Sequence, residues 1–209
     1  MQTSPLRDLK ARAHGWLIRY GIDIRRVRPD RHALERRLFP WLLSVPDYRR
    51  LLFVGCAWYT QHYPRLFAGR EFWTMECDPR LARFGGRLHV IDSCARVVAH
   101  FPPASLDVVI CNGVYGFGLD DEAALEATIR GFHAVLRPGG LLVFGWNNVP
   151  AHDPLGLGPR DCFAGFRPAA GGPLGTGRCE IRSRNRHTFD VLERVPRSQT
   201  GEHVCPSRM

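Results

Sequence analysis

The sequence predicts an α/β fold, a doubly wound and mostly parallel sheet preceded by a helical extension. Short apolar runs recur from residue 51 onward: LLFVG (51–55), EFWTME (71–76), LHVID (88–92), LDVVIC (106–111) and LLVFGW (141–146). Near-continuous apolar runs of this length are what strands buried on both faces require. Segments of helical spacing or loop composition separate them, which is the alternation of parallel βαβ units. The 209 residues, 44% hydrophobic and 23% charged, suffice for one buried core and match globular rather than disordered composition.

Taken in order, residues 5–20 put Leu6, Leu9, Ala13, Trp16, Leu17 and Tyr20 at helical spacing, with Arg7, Arg12 and Arg19 opposite them. Arg25, Arg26 and Arg28 follow, and a second short helix is expected from Asp30 as N-cap through Phe39, stopped by Pro40. This basic helical extension, residues 1–50, reads as a cap over the sheet. The sharper reading is a patch that touches acidic lipid at a membrane surface or a phosphate-bearing substrate. The main α/β domain is expected over residues 51–195. Within it, Ala124, Leu125, Ile129, Phe132, Val135 and Leu136 predict a helix over 121–136, ended by Arg137-Pro138-Gly139-Gly140. Residues 147–186 hold much of the glycine and proline and little periodicity, and read as a long loop or lid. HTFDVLERV (187–195) is the last strand signal. None is evident after Val195, which leaves the sheet edge incomplete, and residues 196–209 read as a loose tail.

The net charge of +9 invites a polyanionic partner, but its distribution argues otherwise. Lys and Arg outnumber Asp and Glu by 12 to 5 in residues 1–50 and by 9 to 6 in 151–209, whereas the stretch between holds 8 against 9. No basic groove interleaved with aromatics is present, so nucleic acid is the runner-up partner. Seven cysteines, an odd number without a CxxC pair, read as reduced thiols and not as a disulfide framework or a metal site. No apolar run approaches the roughly 20 residues that cross a bilayer, and MQTSPLRDLKARAHGW lacks the apolar core of a secretory signal. A cytoplasmic location is therefore expected.

In open parallel sheets ligands bind outside the carboxyl ends of the strands, so the residues that follow each strand are the candidates. The first strand ends in Gly55-Cys56-Ala57, a small-residue turn that lets a cofactor approach backbone amides. Glu76, after the second strand, can accept both hydroxyls of a ribose; Asp92 with Ser93, after the third, can meet an adenine amino group. Asn112-Gly113, after the fourth, faces the reactive end. A turn, an acid about 20 residues on and another acid after the next strand form a pattern for an adenosine-type cofactor. Cys56, Cys77, Cys94 and Cys111 fall near the same strand ends and read as small packing residues, since none has a ligand partner at metal-site spacing.

These residues carry a family resemblance. VGCAWYTQHY (54–63), FWTMECDP (72–79), DVVICNGVYGFGLDD (107–121), VLRPGGLLVFGW (135–146) and HTFDVLER (187–194) resemble segments of class I S-adenosylmethionine-dependent methyltransferases, in particular the methyltransferase type 11 kind, the last matching that family's sixth strand. The resemblance implies a Rossmann-like methyltransferase fold and S-adenosyl-L-methionine as cofactor. Gly55 and Ala57 would then line its methionine and ribose part, Glu76 would hold the ribose hydroxyls, Asp92 and Ser93 would meet the adenine, and Asn112 and Gly113 would lie beside the sulfonium. The family's three-glycine first turn is altered, with Ala57 and Tyr59 at the second and third places.

The function expected is methyl transfer to a small-molecule or saccharide acceptor, with a hydroxyl as the methylated group. GIDIRRVRP (21–29) is similar to segments that precede methyltransferase domains encoded with bacterial surface-polysaccharide enzymes, which favours a sugar. His62, Asp120, Asp121 and His152 are candidates for an acceptor base, and Tyr115, Trp146 and Asn147 for the wall of the acceptor pocket. The altered turn leaves a catalytically silent binding module as an alternative, and the basic flank a nucleic-acid-binding methyltransferase. No Asn/Asp-Pro-Pro-aromatic tetrapeptide follows the fourth strand, which speaks against methylation of base amino groups.

Overall fold

The structure is a computed structural model that describes residues 13, 28–149, 161–175 and 177–195. The helix expected over 5–20 (Ala13 apart), His152 and the tail 196–209 lie outside the described residues. Strands β1 (Arg50–Val54), β2 (Glu71–Glu76), β3 (Leu88–Ile91), β4 (Leu106–Asn112) and β5 (Leu136–Asn147) run parallel. Three further strands, β6 (Phe166–Pro168), β7 (Arg178–Glu180) and β8 (His187–Arg194), pair antiparallel. The sheet order is β3-β2-β1-β4-β5-β8-β6, with β7 also on β8. The expected doubly wound, mostly parallel sheet is thus present.

Because side chains alternate along a strand, β1 feeds two cores. Leu51 and Phe53 face one layer with Leu38, Phe39, Leu42 and Tyr63, while Leu52 and Val54 face the other with Val97, Ile129 and Phe132. The second layer rests on helix Glu122–Val135, whose buried stripe Leu125, Ile129 and Phe132 follows the periodicity of the sequence. Its N-cap is Asp121, whose side chain accepts from the amide of Ala124 at 2.7 Å. The Arg137-Pro138-Gly139-Gly140 stretch follows as an irregularity inside β5, where the register shifts between Leu106↔Leu136 and Val108↔Leu141.

Three sequence expectations need correction. The second N-terminal helix begins at Pro29 after Arg28, not with Asp30 as its cap, and it does not stop at Pro40. Helical Pro29–Ala33 passes through a π-helical turn, Leu34–Leu38, into a helix over Phe39–Ser44. A proline ring clashes with the carbonyl four residues back; the widened turn just before Pro40 changes that spacing, and the amide of Phe39 donates to the carbonyl of Leu34 five residues back. The stretch 147–186, expected as a loop or lid, contributes β6 and β7. Finally, β8 lies beside β5 in the antiparallel sense, and the outer edge is formed by β6, which precedes it in the chain and pairs at Phe166↔Arg194.

Candidate active site

The parallel strands end side by side, and the turns that follow β1 to β4 enclose a hollow of about 250 Å³. All seven residues singled out from sequence for the cofactor line it: Gly55, Ala57, Glu76, Asp92, Ser93, Asn112 and Gly113. This is the point where the chain order reverses about β1, the usual ligand crevice of such sheets.

Glu76 is 9% exposed and lies at the centre of this arrangement. One carboxylate oxygen accepts from the amide of Cys56 at 2.7 Å and the other from the amide of Asp78 at 2.9 Å. It ties the turns after β1 and β2 together, and the Cys77 thiol donates to the same oxygen as Asp78 at 3.5 Å, so of the about four acceptor positions of a carboxylate one is left over. Gly55 is required at the first turn. Its φ is +93°, and a Cβ there would stand 2.9 Å from a methyl of Val114. Asp92 has more partners than the sequence suggests: it accepts from its neighbour Ser93's amide at 2.8 Å and pairs with His100 at 2.8 Å. The His100 hydrogen bond and the Ser93 amide hold its carboxyl below the usual range. Ser93 caps the short helical turn 94–99 through the amide of Ala95.

Cys56, Cys94 and Cys111 are buried as packing residues, whereas Cys77, expected to pack with them, is exposed, lines the hollow and donates its thiol to Glu76 at 3.5 Å. Cys56 and Cys94 line the hollow as buried thiols; burial, reinforced by the charge of Glu76, pushes Cys56 up to about 12. Among the described residues no group of three or more His, Cys, Asp or Glu could hold a metal ion.

A second, larger hollow of about 680 Å³ adjoins the first, and Arg31, Tyr59, Asn112, Gly113 and Phe117 line both. Arg31 was not foreseen. Its guanidinium lies 3.6 Å from the ring centroid of Tyr59 and donates to the Tyr63 hydroxyl at 2.9 Å, which in turn donates to Glu35 at 2.9 Å. Tyr59, the bulky residue of the altered turn, is thereby held at the junction, where it lines both hollows. The floor of the outer hollow is also unforeseen. His187, at the start of β8, lies between Asn112 and Asn147, each 2.9 Å from one ring nitrogen. Burial lowers His187 to about 4, with Asp30 opposing and Arg31 adding to the effect, so the ring is neutral and one asparagine must present its NH₂ group. Gly145 makes room for this contact, since a Cβ there would stand 1.9 Å from the Asn112 side-chain oxygen.

The expected base candidates sit elsewhere. His62 packs on Tyr63 with ring centroids 4.7 Å apart and lies 4.0 Å from Glu35. Asp121 caps its helix, and Asp120 accepts from the amide of Gly118. None of the three lines either hollow. Of the expected wall residues, Asn147 lines the outer hollow, Tyr115 packs near Phe144, and Trp146 is buried and donates to Asp190 at 2.7 Å.

No family model and no curated protein matches the chain. Solved structures do match in shape. The N-methyltransferase NodS of Bradyrhizobium japonicum in complex with S-adenosyl-L-homocysteine aligns with a TM-score of 0.57 at 18% identity, over 85% of this chain and 91% of that one. The fold is that of methyltransferases. A TehB-like methyltransferase from Corynebacterium glutamicum aligns with a TM-score of 0.56 at 14% identity, over 92% of this chain and all of the other. The 16S rRNA methyltransferase RsmC of T. Thermophilus, in complex with AdoMet and guanosine, aligns at 0.50 with 15% identity over 76% of this chain and 39% of that one. Among the described residues no helix is long and apolar enough to cross a membrane.

Proposed function

We propose that this chain is an S-adenosylmethionine-dependent methyltransferase that methylates a hydroxyl of a small-molecule or saccharide acceptor. The supporting observation is the convergence of Glu76, the Gly55 turn and Asn112 on one hollow at the reversal point of a methyltransferase fold. The residues fit the cofactor chemically. Glu76 keeps one acceptor position for a ribose hydroxyl after serving the amides of Cys56 and Asp78 and the Cys77 thiol, and a second where a ribose hydroxyl displaces that long thiol contact. Gly55, without a side chain, leaves the turn open to the methionine arm. Asp92 and Ser93 stand at the adenine end; Asn112 and Gly113, shared by both hollows, stand where cofactor and acceptor meet.

When bound, S-adenosylmethionine supplies a methyl group on a positively charged sulfur, which an acceptor oxygen takes by in-line displacement to leave S-adenosylhomocysteine. The protein's task is then mainly alignment. Arg31 and Tyr59 hold the passage between the hollows, Phe117 lines both, and Asp30 is the carboxylate on the outer wall able to take the hydroxyl proton. Calorimetric titration with S-adenosylmethionine and S-adenosylhomocysteine tests the reading: micromolar binding of both supports it. A protein that binds neither at millimolar concentration is the silent module instead.

A further inference from the structure

The outer hollow has a charge imbalance. Arg28, Arg31 and Arg184 line it against one carboxylate, Asp30, and His187 in its floor is neutral. The three arginines come from separate elements. Arg28 precedes the helix that starts at Pro29. Arg31 is fixed over Tyr59. Arg184 stands at the tip of the β7–β8 hairpin, which is clipped by the Arg186 amide on the Ser183 carbonyl at 3.0 Å and by the Arg186–Glu180 ion pair at 2.9 Å. Among the described residues neither Arg28 nor Arg184 has a carboxylate partner. Arginines lining one concavity can offer guanidinium forks to the planar oxygens of phosphate or carboxylate, and about 680 Å³ is the size of a small-molecule site.

We propose that the outer hollow binds an anionic acceptor, a small molecule whose phosphate or carboxylate group is held by Arg28, Arg31 and Arg184 while its hydroxyl rests on the Asn112–His187–Asn147 floor. The inference rests on the methyltransferase reading for calling that ligand an acceptor; the anion site stands on the arginines alone. A polynucleotide fits less well, because it needs a basic track continuing beyond the hollow, and residues 51–150 hold 8 basic against 9 acidic groups.

The test is calorimetry on the full chain, with and without saturating S-adenosylhomocysteine, using glucose 6-phosphate, glucuronate, glucose and a single-stranded 20-mer RNA as probes. At least one of the two anionic sugars is expected to bind at least tenfold more tightly than glucose; which one does so tells phosphate from carboxylate. The Arg28→Gln/Arg184→Gln double variant, whose sites lie outside the inner hollow, is expected to lose at least fivefold for that anion and to keep its S-adenosylhomocysteine affinity. Equal binding of charged and neutral sugars, no binding of any sugar, or anion binding indifferent to the double variant would overturn the proposal. So would RNA binding at least a hundredfold tighter than either anion and lost in the same variant. Failure of S-adenosylhomocysteine to bind removes the methyltransferase reading alone, since the anion arm is read on the unloaded protein as well.

Discussion

Glu76→Ala removes a buried carboxylate that accepts from two backbone amides, 2.7 Å from Cys56 and 2.9 Å from Asp78. Two consequences follow, and they are separable. The turns after β1 and β2 lose their common acceptor; one amide left unsatisfied in a buried place costs about 1–3 kcal/mol and the more exposed one about 1 kcal/mol. The variant should therefore unfold at about 2–4 kcal/mol less stability, a drop of roughly 5–15 °C in Tm. If the remaining acceptor positions hold ribose hydroxyls, S-adenosylhomocysteine affinity also falls by about 1–3 kcal/mol, or about 5- to 150-fold. Denaturant unfolding measures the first and calorimetry the second, both at a temperature where the variant is folded. Glu76→Gln keeps one acceptor oxygen but sets an NH₂ group against the second amide, so it should fall between wild type and alanine in both assays. Lost stability with unchanged cofactor affinity would refute the ribose assignment and leave Glu76 as a clamp between two turns.

Gly145→Ala puts a Cβ within 1.9 Å of the Asn112 side-chain oxygen, so Asn112 must leave His187; a loss of about 1–3 kcal/mol in stability is expected by denaturant titration, and no loss would mean that the contact is dispensable. His187 titrates near 4 when folded and near 6.5 when unfolded, with Asp30 and Arg31 as its charged neighbours. Between those values the unfolded chain binds more protons, so stability should decline as pH falls from 6.5 toward 4, by roughly 2–4 kcal/mol, and His187→Gln should flatten that slope in pH-dependent unfolding. Asp121→Ala should cost about 1 kcal/mol through the lost helix cap while S-adenosylhomocysteine affinity stays unchanged in calorimetry. Tyr59→Ala frees Arg31 from its ring contact and should weaken cofactor binding by about 0.5–2 kcal/mol, whereas tighter binding would show that Tyr59 obstructs the hollow.

The five parallel strands were legible in the sequence because β1, β2, β4 and β5 are largely buried and so read as apolar runs, while β3, a half-buried edge strand, still carries Leu88, Val90 and Ile91. Seven of the residues that line the inner hollow, Gly55, Ala57, Glu76, Asp92, Ser93, Asn112 and Gly113, were legible because strand ends converge in such sheets whatever the connecting segments do. Three features were hidden for physical reasons. Pro40 is a helix stop by local chemistry, and only the π-helical turn before it lets the helix continue. β6 and β7 are three residues each and sit among glycines and prolines, so no periodicity announces them. The direction of β8 depends on the hairpin it forms with β7. The outer hollow was hidden for the same reason. Arg31, Arg184 and His187 meet there only because a cap helix and a hairpin tip are folded over the ends of β4 and β5, and no spacing in the chain encodes that meeting. Asn112, Gly113 and Asn147 were the exceptions, legible because they stand at the ends of β4 and β5.

The central claim is that the hollow at the ends of β1 to β4 holds an adenosyl cofactor. A crystal structure grown with S-adenosylhomocysteine tests it most directly. Ribose hydroxyls are expected within hydrogen-bond distance of Glu76, the adenine near Asp92 and Ser93, and the sulfur beside Asn112. Ligand bound elsewhere, or a hollow that excludes it at millimolar concentration, would contradict the account.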